Sequence, residues 1–269
     1  MLVPAPERFP RSVIFKWMVM GFAGGAVNAG GFMACKRFVT HVTGFGTSFG
    51  MEAAQSHYLS AVDMLIVPIC YLMGAMFGAF FTDAAISRGA RPRFRLVTGV
   101  AAGLLVATAL CGHFDVYGRF GSTFAMEDDY LLVVLLCLAS GMQNVAGTAA
   151  SRGLLRSTHL TGPTTDLGLG LVRAFFGARS PAARARERYH SCLRFGSILS
   201  FIAGAFVGAV SFIQVQYLGF LLPAALVVIA GCFGARGLGG ALRKTATLPA
   251  LTTPGPAAAT DSAAEAGSL

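Results

Sequence analysis

The sequence predicts an all-α membrane protein with six transmembrane helices, arranged as two three-helix repeats of inverted topology. The first observation is composition: of the 269 residues, 55% are hydrophobic and 12% are charged, and the mean hydropathy is +0.65. This composition is typical of a polytopic membrane protein. The second observation is a set of six apolar segments of membrane-spanning length, and the third is a polar motif that occurs twice.

Each apolar segment is close to the ~20 residues that cross a bilayer as a helix. Lys16 and Asn28 interrupt the first of them. The predicted helices cover residues 13–35, 61–81, 96–112, 130–150, 195–213 and 217–235. The predicted regions are a lead at 1–12, a first repeat at 13–113, an acidic external loop at 114–129, a second repeat at 130–235 that includes a basic cytoplasmic loop at 151–194, and a disordered tail at 236–269 that is rich in Ala, Thr, Pro and Ser.

Basic residues are distributed unevenly between the two ends of these helices. All but three of the 21 Lys and Arg residues lie near the lead, between helices two and three, in the loop at 151–194 or in the tail. The opposite side receives Lys36, Arg37 and Arg119. The positive-inside rule then places both termini in the cytoplasm. Because topology accounts for the net charge of +9, nucleic acid is not an expected partner.

The motif that occurs twice is the sequence HVTGFGTSFG from His41, which recurs as HLTGPTTDLG from His159. Each copy follows a glycine-rich apolar stretch that carries an asparagine, Asn28 in the first half and Asn144 in the second. Burying polar groups in lipid costs free energy that packing alone does not require. Polar residues at matched positions therefore indicate a shared site.

Short glycine motifs are predicted to let helices pack closely. GAMFGA from Gly74 recurs as GAFVGA from Gly204, and other small-xxx-small pairs begin at Gly21 and Gly99. The asparagine, the histidine motif and the glycine motif recur in the same order, which divides the chain into two repeats of three crossings. Three is an odd number, so the second repeat enters the membrane from the side opposite to the first.

Each copy of the histidine motif predicts a half-helix or re-entrant segment after it, and the second copy shows the clearer pattern. Gly162, Pro163 and Asp166 favour a new helix that starts near Thr164, and the apolar run that follows is too short to span a bilayer. The N–H groups at the start of such a helix bind negative or polar groups of a solute. The candidate solute-binding or pathway residues are Asn28, His41, Thr43, Gly44, Asn144, His159, Thr161, Gly162, Thr165 and Asp166.

Two interpretations are open for these side chains. His41 and His159 would contact a solute, relay a proton or bind a metal, or they would cap the helix that precedes them. Asn28 and Asn144 would form the pseudo-symmetric centre of the site, or they would hydrogen-bond one helix to another. Asp166 replaces Ser48 of the first copy, and it is the carboxylate we would choose for coupling transport to protons.

Motifs of hydrolases, kinases and nucleotide-binding proteins are missing from the sequence: it contains no G-x-S-x-G, no P-loop and no H-E-x-x-H. The six cysteines form no CxxC pair and are interpreted as small buried apolar residues. We therefore expect no enzyme activity, no catalytic residue, no metal site and no cofactor.

The chain resembles the YoaK-like family of bacterial membrane proteins, a family of unknown function. The likeness rests on GGAVNAGGF around Asn28, HVTG at His41, GMQN ending at Asn144 and THLTGPTTDLG from Thr158, and it covers about residues 12–236. The resemblance implies an integral inner-membrane protein of a bacterium and supplies no substrate. One departure is FGTSFG after the first HVTG, where the second copy has the more polar TTDLG.

These observations predict a transporter or permease of a small solute, with its site at the interface of the two repeats. The expected partners are the lipid bilayer and the solute, and a homo-oligomer is compatible with the sequence. The alternative is a non-transporting scaffold or regulator that docks its partners through the basic cytoplasmic loop. A membrane enzyme would require His41, His159 and Asp166 to converge.

Overall fold

Long apolar segments with abundant Leu, Ala, Val and Gly form helices in this chain. The computed structural model describes residues 9–122, 126–151, 160–177 and 180–232, and these residues contain helices and turns but no strand. The helices are α1 Arg11–Cys35, α2 Val42–Ala54, α3 Tyr58–Phe81, α4 Asp83–Ser87, α5 Phe94–His113, α6 Met126–Ala150, α7 Thr161–Val172, α8 Pro181–Val215 and α9 over 221–232. A π-helical turn, Arg173–Gly177, extends α7, and a 3-10 turn, Gln216–Phe220, separates α8 from α9.

Within the described residues, five segments are long and apolar enough to cross a membrane. They are Arg11–Cys35, Tyr58–Ser87, Phe94–His113, Tyr130–Ala150 and Pro181–Cys232. The first four agree closely with the first four predicted helices. The fifth has 52 residues and contains the predicted helix at 195–213 and most of the one at 217–235. The all-α class is confirmed for the described residues, and five of their helical segments have the length and composition of membrane-spanning helices.

The chain changes direction inside the fifth segment, at the turn Gln216–Phe220. α8 runs parallel to α1, because Gly21 lies against Ser197 and Gly30 lies against Phe212 further along both helices. α9 then runs back along α5. Tyr217, in the turn before α9, contacts Gly112 near the end of α5. Gly231, near the end of α9, contacts Thr98 near the start of α5. α8 and α9 therefore point in opposite directions.

α1 and α6 form the centre of the bundle and are antiparallel. Gln143 Nε2 of α6 donates a hydrogen bond of 3.0 Å to the carbonyl oxygen of Met20, and Ala150 at the end of α6 lines the same cavity as Val13 at the start of α1. α3 and α8 lie outside them and expose large apolar side chains, which is the surface that lipid requires. These side chains include Leu65, Ile69, Leu72, Met76 and Phe80 on α3 and Leu199, Ile202, Phe206 and Ile213 on α8.

α1 packs on α8 through backbone contact at two glycines. A Cβ atom on Gly25 would overlap the carbonyl oxygen of Phe201, and a Cβ atom on Gly204 would overlap the carbonyl oxygen of Phe22. Such contact lets two helices approach more closely than side chains permit, and it is the usual means of helix association in lipid. The α1–α8 pair is accordingly among the most extensive helix contacts of the structure.

α3 packs on α6 in the same way. A Cβ atom on Gly141 would overlap the carbonyl oxygen of Tyr71, and one on Gly74 would overlap the carbonyl oxygen of Leu138. The two crossings use matched sequence positions. Gly141, like Gly25, lies three residues before the asparagine of its half, and Gly74 begins the first copy of the glycine motif that recurs from residue 204.

The sequence predicts that the glycine pair Gly99 and Gly103 packs closely against another helix. This prediction is wrong for the described part of the chain. Gly99 and Gly103 on α5 are exposed, and a Cβ atom on either would meet open space. The spacing of two small residues identifies a helix face that permits close approach, but another helix must be available to use it.

The two ends of the bundle differ in chemistry. The end at which α1 begins is the basic end, because the exposed residues Arg88, Arg91, Arg93 and Arg95 lie between α4 and the start of α5. The other end is the aromatic end. Its rings pack at centroid distances of 4.7 Å for Phe212–Phe220 and 5.0 Å for Phe120–Tyr217, and these aromatic side chains fill the space between α1, α5 and α8.

We expect Gly204→Ala to destabilise the fold, because its methyl group would overlap the backbone of Phe22 and force α1 and α8 apart. Overpacking of this kind costs about 1–3 kcal/mol. The melting temperature of the purified protein in detergent should fall by several degrees. Gly103→Ala is the matched control on open surface and should leave the melting temperature unchanged or slightly raised. Equal melting temperatures for the two variants would contradict the assigned crossing.

Candidate functional site

The first copy of the histidine motif follows a loop that enters the bundle, because the chain folds back after α1. Lys36 ends that helix in the left-handed conformation, with φ of 57°. Thr40 then reaches Asn28, and its Oγ1 donates a hydrogen bond of 2.7 Å to Asn28 Oδ1. Asn28 lies seven residues before Cys35, the end of α1, which corresponds to about 10 Å along a helix axis. Residues 36–40 are therefore a return loop that enters the bundle by about two helical turns.

The tip of the return loop is buried between the two halves of the chain. Val39 and Thr40 are both 0% exposed. Cys137 Sγ of α6 donates to the carbonyl oxygen of Val39 at 3.3 Å, and the Val39 side chain occupies the space that a Cβ on Gly31 would need. Buried backbone and side-chain polar groups need such partners. The loop is held by α1 of the first half and α6 of the second.

Val39, Thr40 and Cys137 are not among the residues that the sequence predicts for the site. A signal for Thr40 is present, because a threonine precedes the histidine in both copies, as Thr40 and Thr158. The repeated motif is thus one residue longer than predicted. Val39 contributes its backbone carbonyl group, and Cys137 contributes a thiol group from an apolar helix. No sequence pattern distinguishes either residue as part of a site. Thr158 and His159 lie outside the described residues.

α2 begins at this depth and runs back toward the aromatic end, packed against α3. His41 occupies its N-cap, where the His41 carbonyl accepts a hydrogen bond of 3.0 Å from the Gly44 N–H. The imidazole is half-buried and packs against Phe38 at a centroid distance of 5.2 Å. Thr43 and Gly44 in the first turn are exposed. The positive end of the α2 dipole is therefore directed into the bundle, near Asn28.

The second copy of the motif also starts a short helix. α7 begins at Thr161, a few residues before the predicted start, and packs against α8 at Gly170, where a Cβ atom would meet the side chains of Ser191 and Arg194. Gly162 is half-buried. The segment predicted as a basic loop at 151–194 thus contains α7 and the first turns of α8. Gly162 and Pro163 lie in the first turn of α7, where proline is tolerated, and the helix is too short to span a bilayer, as the sequence predicts.

Both short helices contain the same internal hydrogen bond. Thr47 Oγ1 donates to the Thr43 carbonyl at 3.1 Å, and Thr165 Oγ1 donates to the Thr161 carbonyl at 3.0 Å. Threonine hydroxyls that bond to the preceding turn satisfy themselves within their own helix. The repeated threonines therefore stabilise the two short helices. Asp166 follows directly and is exposed, so its carboxylate is accessible.

The two matched asparagines lie at different depths. Gln143 bonds to Met20, which places the adjacent Asn144 near the level of Met20 on α1. Asn28 is eight residues further along α1, or about 12 Å. One of the two interpretations of the sequence places both asparagines at a shared pseudo-symmetric centre. In the structure, the two asparagines lie at different depths along α1 and α6. Asn144 Oδ1 is buried and accepts no hydrogen bond from the described residues.

An apolar layer separates these two levels. The side chains of α1 and α6 between them include Ala23, Val27, Leu136 and Ala139, each no more than 1% exposed. The hydroxyl group of Ser140 on α6 is buried within this layer, and close-packed apolar side chains surround it. The structure is closed between the two motifs.

No group of three or more His, Cys, Asp or Glu side chains in the described part of the chain is arranged to hold a metal ion. His41 starts α2 and Asp166 lies on α7, so these two residues of the enzyme interpretation belong to different short helices. The chemistry that the described site offers is hydrogen bonding and electrostatic attraction at two helix N-termini.

A family model described as a protein of unknown function, DUF1275, matches residues 17–233 of the chain. The match covers both copies of the histidine motif and agrees with the resemblance to the YoaK-like proteins. Neither the curated proteins nor the solved structures contain a match to the chain.

Thr40→Val should destabilise the protein, because valine keeps the shape of the side chain but leaves Asn28 Oδ1 buried without its donor. An unsatisfied buried acceptor costs about 1–3 kcal/mol, which should lower the melting temperature in detergent by several degrees. Thr47→Val is the control, since that hydroxyl is exposed and bonds only within α2. Equal melting temperatures for the two variants would show that the hydrogen bond between Thr40 and Asn28 does not hold the return loop.

Proposed function

We propose that this chain, which belongs to the DUF1275 family of proteins of unknown function, is a membrane transporter of a small solute. The observation that carries the proposal is the short helix α2, whose N-terminus starts inside the bundle beside Asn28 and Thr40. Interrupted helices whose N-termini lie at membrane depth are the sites at which many secondary transporters bind solutes, because irregular backbone at that depth is tolerated where it lines a site.

Inverted topology of the two repeats is supported by helix directions and by the crossings. α1 corresponds to α6 through Asn28 and Asn144, and these two helices run antiparallel. α3 and α8 correspond through their glycine motifs, and each contacts the central helix of the other half at matched glycines. Six crossings follow if α8 and α9, which point in opposite directions, each span the bilayer.

The basic end is proposed to face the cytoplasm of a bacterium, with the protein in the inner membrane and both termini inside. This orientation is supported by the exposed arginines between α4 and α5 and by Arg184, Arg186 and Arg188 in the first turns of α8. In this orientation α2 enters the membrane from the outer face, and α7 enters it from the cytoplasmic face.

In the proposed mechanism, the N-terminus of each short helix attracts a negative or hydrogen-bond-accepting group of the solute. Asn28 and His41 flank the outer site, while Asn144 and Asp166 belong to the inner half. Transport requires the apolar layer between them to open. The glycine crossings favour such a movement, because their surfaces are smooth and carry no interlocking side chains.

A non-transporting scaffold is the second candidate, and the closed apolar layer favours it. The exposed arginines at the start of α8 would then serve as a docking surface for an acidic partner. This function needs no pathway through the bundle, so it predicts that the protein conducts no solute.

Reconstituted vesicles distinguish the two functions. Stopped-flow light scattering should show faster swelling of vesicles with the protein than of empty vesicles for at least one member of a panel of sugars, polyols, amino acids and small acids. Asp166→Asn should slow that flux by roughly tenfold, because a charge-assisted contact is lost. Asp83→Asn, an exposed carboxylate outside both motifs, should have no effect. Equal rates with and without protein for the whole panel would exclude the transporter.

Reporter fusions test the orientation. Alkaline phosphatase fused after Gly118 should be active, because the loop after α5 is predicted to lie outside the cytoplasm. Green fluorescent protein fused after Ala90 or at the C-terminus should fluoresce, because both positions are predicted to be cytoplasmic. The reverse pattern would contradict the assignment of the basic end.

A further inference from the structure

A cavity of about 40 Å³ lies at the basic end, where α1, α5, α6 and α9 meet. Its volume has room for about two or three water molecules. Its walls are mostly apolar, with Val13, Met20, Phe94 and Ala146 among them, and the residues that carry polar side-chain groups are Lys16, Trp17 and Thr98. None of the described residues of the two histidine motifs lines it.

Lys16 brings a buried ammonium group to this cavity. The residue is 6% exposed, and its Nζ atom is buried and forms no hydrogen bond with the described residues. An ammonium group has three donors and no acceptor. Burying a charged ammonium group alone is unfavourable, so the group must gain a negatively charged acceptor, lose its proton, or reduce the stability of the fold.

Trp17 brings a second donor to the same cavity. The indole is 4% exposed, and its Nε1 atom also lacks a hydrogen-bond partner among the described residues. An edge contact with Phe9, at a centroid distance of 4.6 Å, fixes the ring. Two buried donors on neighbouring residues therefore line one small space, and Thr98 Oγ1 is already engaged with its own helix.

The matched positions of the second half show that the fold itself does not need these residues. Lys16 lies twelve residues before Asn28, and Leu132 lies twelve residues before Asn144. Trp17 corresponds to Val133 in the same way. Leu132 is 0% exposed and Val133 is 3% exposed, both in the apolar core. An apolar side chain therefore satisfies the packing at this position, and the lysine is a departure from the repeat.

From this geometry we propose that the cavity is a binding site for a carboxylate group, held by Lys16 Nζ and Trp17 Nε1. Two donors match the two oxygens of a carboxylate, and one cation matches its single negative charge. A phosphate carries about two negative charges near neutral pH, and one ammonium group balances only one of them. The apolar walls accept the short carbon chain of the acid, and the cavity volume limits the part that enters to about the size of acetate.

The carboxylate can come from water, as a short-chain acid, or from the bilayer, as the head group of a fatty acid. Both sources present the same chemistry to Lys16 and Trp17. The proposal does not depend on transport, because binding at this cavity is measured without flux.

Trp17 is the only tryptophan of the chain, so its fluorescence reports directly on the cavity. The protein in phosphatidylcholine nanodiscs is titrated with sodium acetate in one arm and with oleate in the other, with sodium chloride at matched ionic strength as reference. We expect a saturable change in emission with acetate or oleate and a flat response with chloride. The arm that responds identifies the source of the carboxylate. A flat response in both arms, or equal responses to acetate and chloride, would overturn the proposal.

Lys16→Met and Lys36→Met form the matched pair of variants, since Lys36 is exposed on the other end of α1. Lys16→Met should weaken the response at least tenfold, and Lys36→Met should retain it. Thermal unfolding gives a second readout. Without a carboxylate, Lys16→Met should melt above the native protein, because a buried unpaired charge is removed, and saturating ligand should raise the melting temperature of the native protein only. An unchanged response in Lys16→Met would show that the emission change arises elsewhere.

Discussion

Backbone contact at four glycines is the constraint on which the rest of the structure depends. Lipid provides no hydrophobic force between apolar helices, so their association requires close packing. Gly25 and Gly204 provide it between α1 and α8, and Gly74 and Gly141 provide it between α3 and α6. α8 is held on α1 and α3 is held on α6, and the two central helices α1 and α6 lie antiparallel. Only in this arrangement does α6 reach the return loop that follows α1.

The return loop then follows from the need to satisfy polar groups away from water. A chain that re-enters the bundle exposes backbone N–H and C=O groups to an environment without solvent. Thr40 and Asn28 satisfy each other, and the Val39 carbonyl accepts from Cys137. Asn28 thus joins α1 to the loop that follows it, and it lies near the residue at which α2 begins.

Hydropathy and helix-breaking residues are sufficient to predict most of the helices, because length and apolar content are local properties. The bounds of α1, α3 and α5 follow from them, and Gly162 with Pro163 predicts the short helix α7. The depth of residues 36–40 is not a local property, since it depends on the partner that Thr40 finds in α1. The levels of Asn28 and Asn144 depend likewise on how α1 and α6 are set against each other. Glycine spacing identifies a face that packs closely but not its partner, as the open surface at Gly99 demonstrates.

The two halves share their helix packing and differ in charge. At the aromatic end, rings fill the space between the helices, whereas the basic end holds a cavity with a buried cation. Lys16 stands where the second half has Leu132, and Asp166 stands where the first half has Ser48. Lys16 lies at the basic end, and Asp166 belongs to the short helix that packs toward that end. Lys16 and Asp166 therefore distinguish this end of the bundle from the corresponding positions of the other half, which are occupied by an apolar and an uncharged side chain.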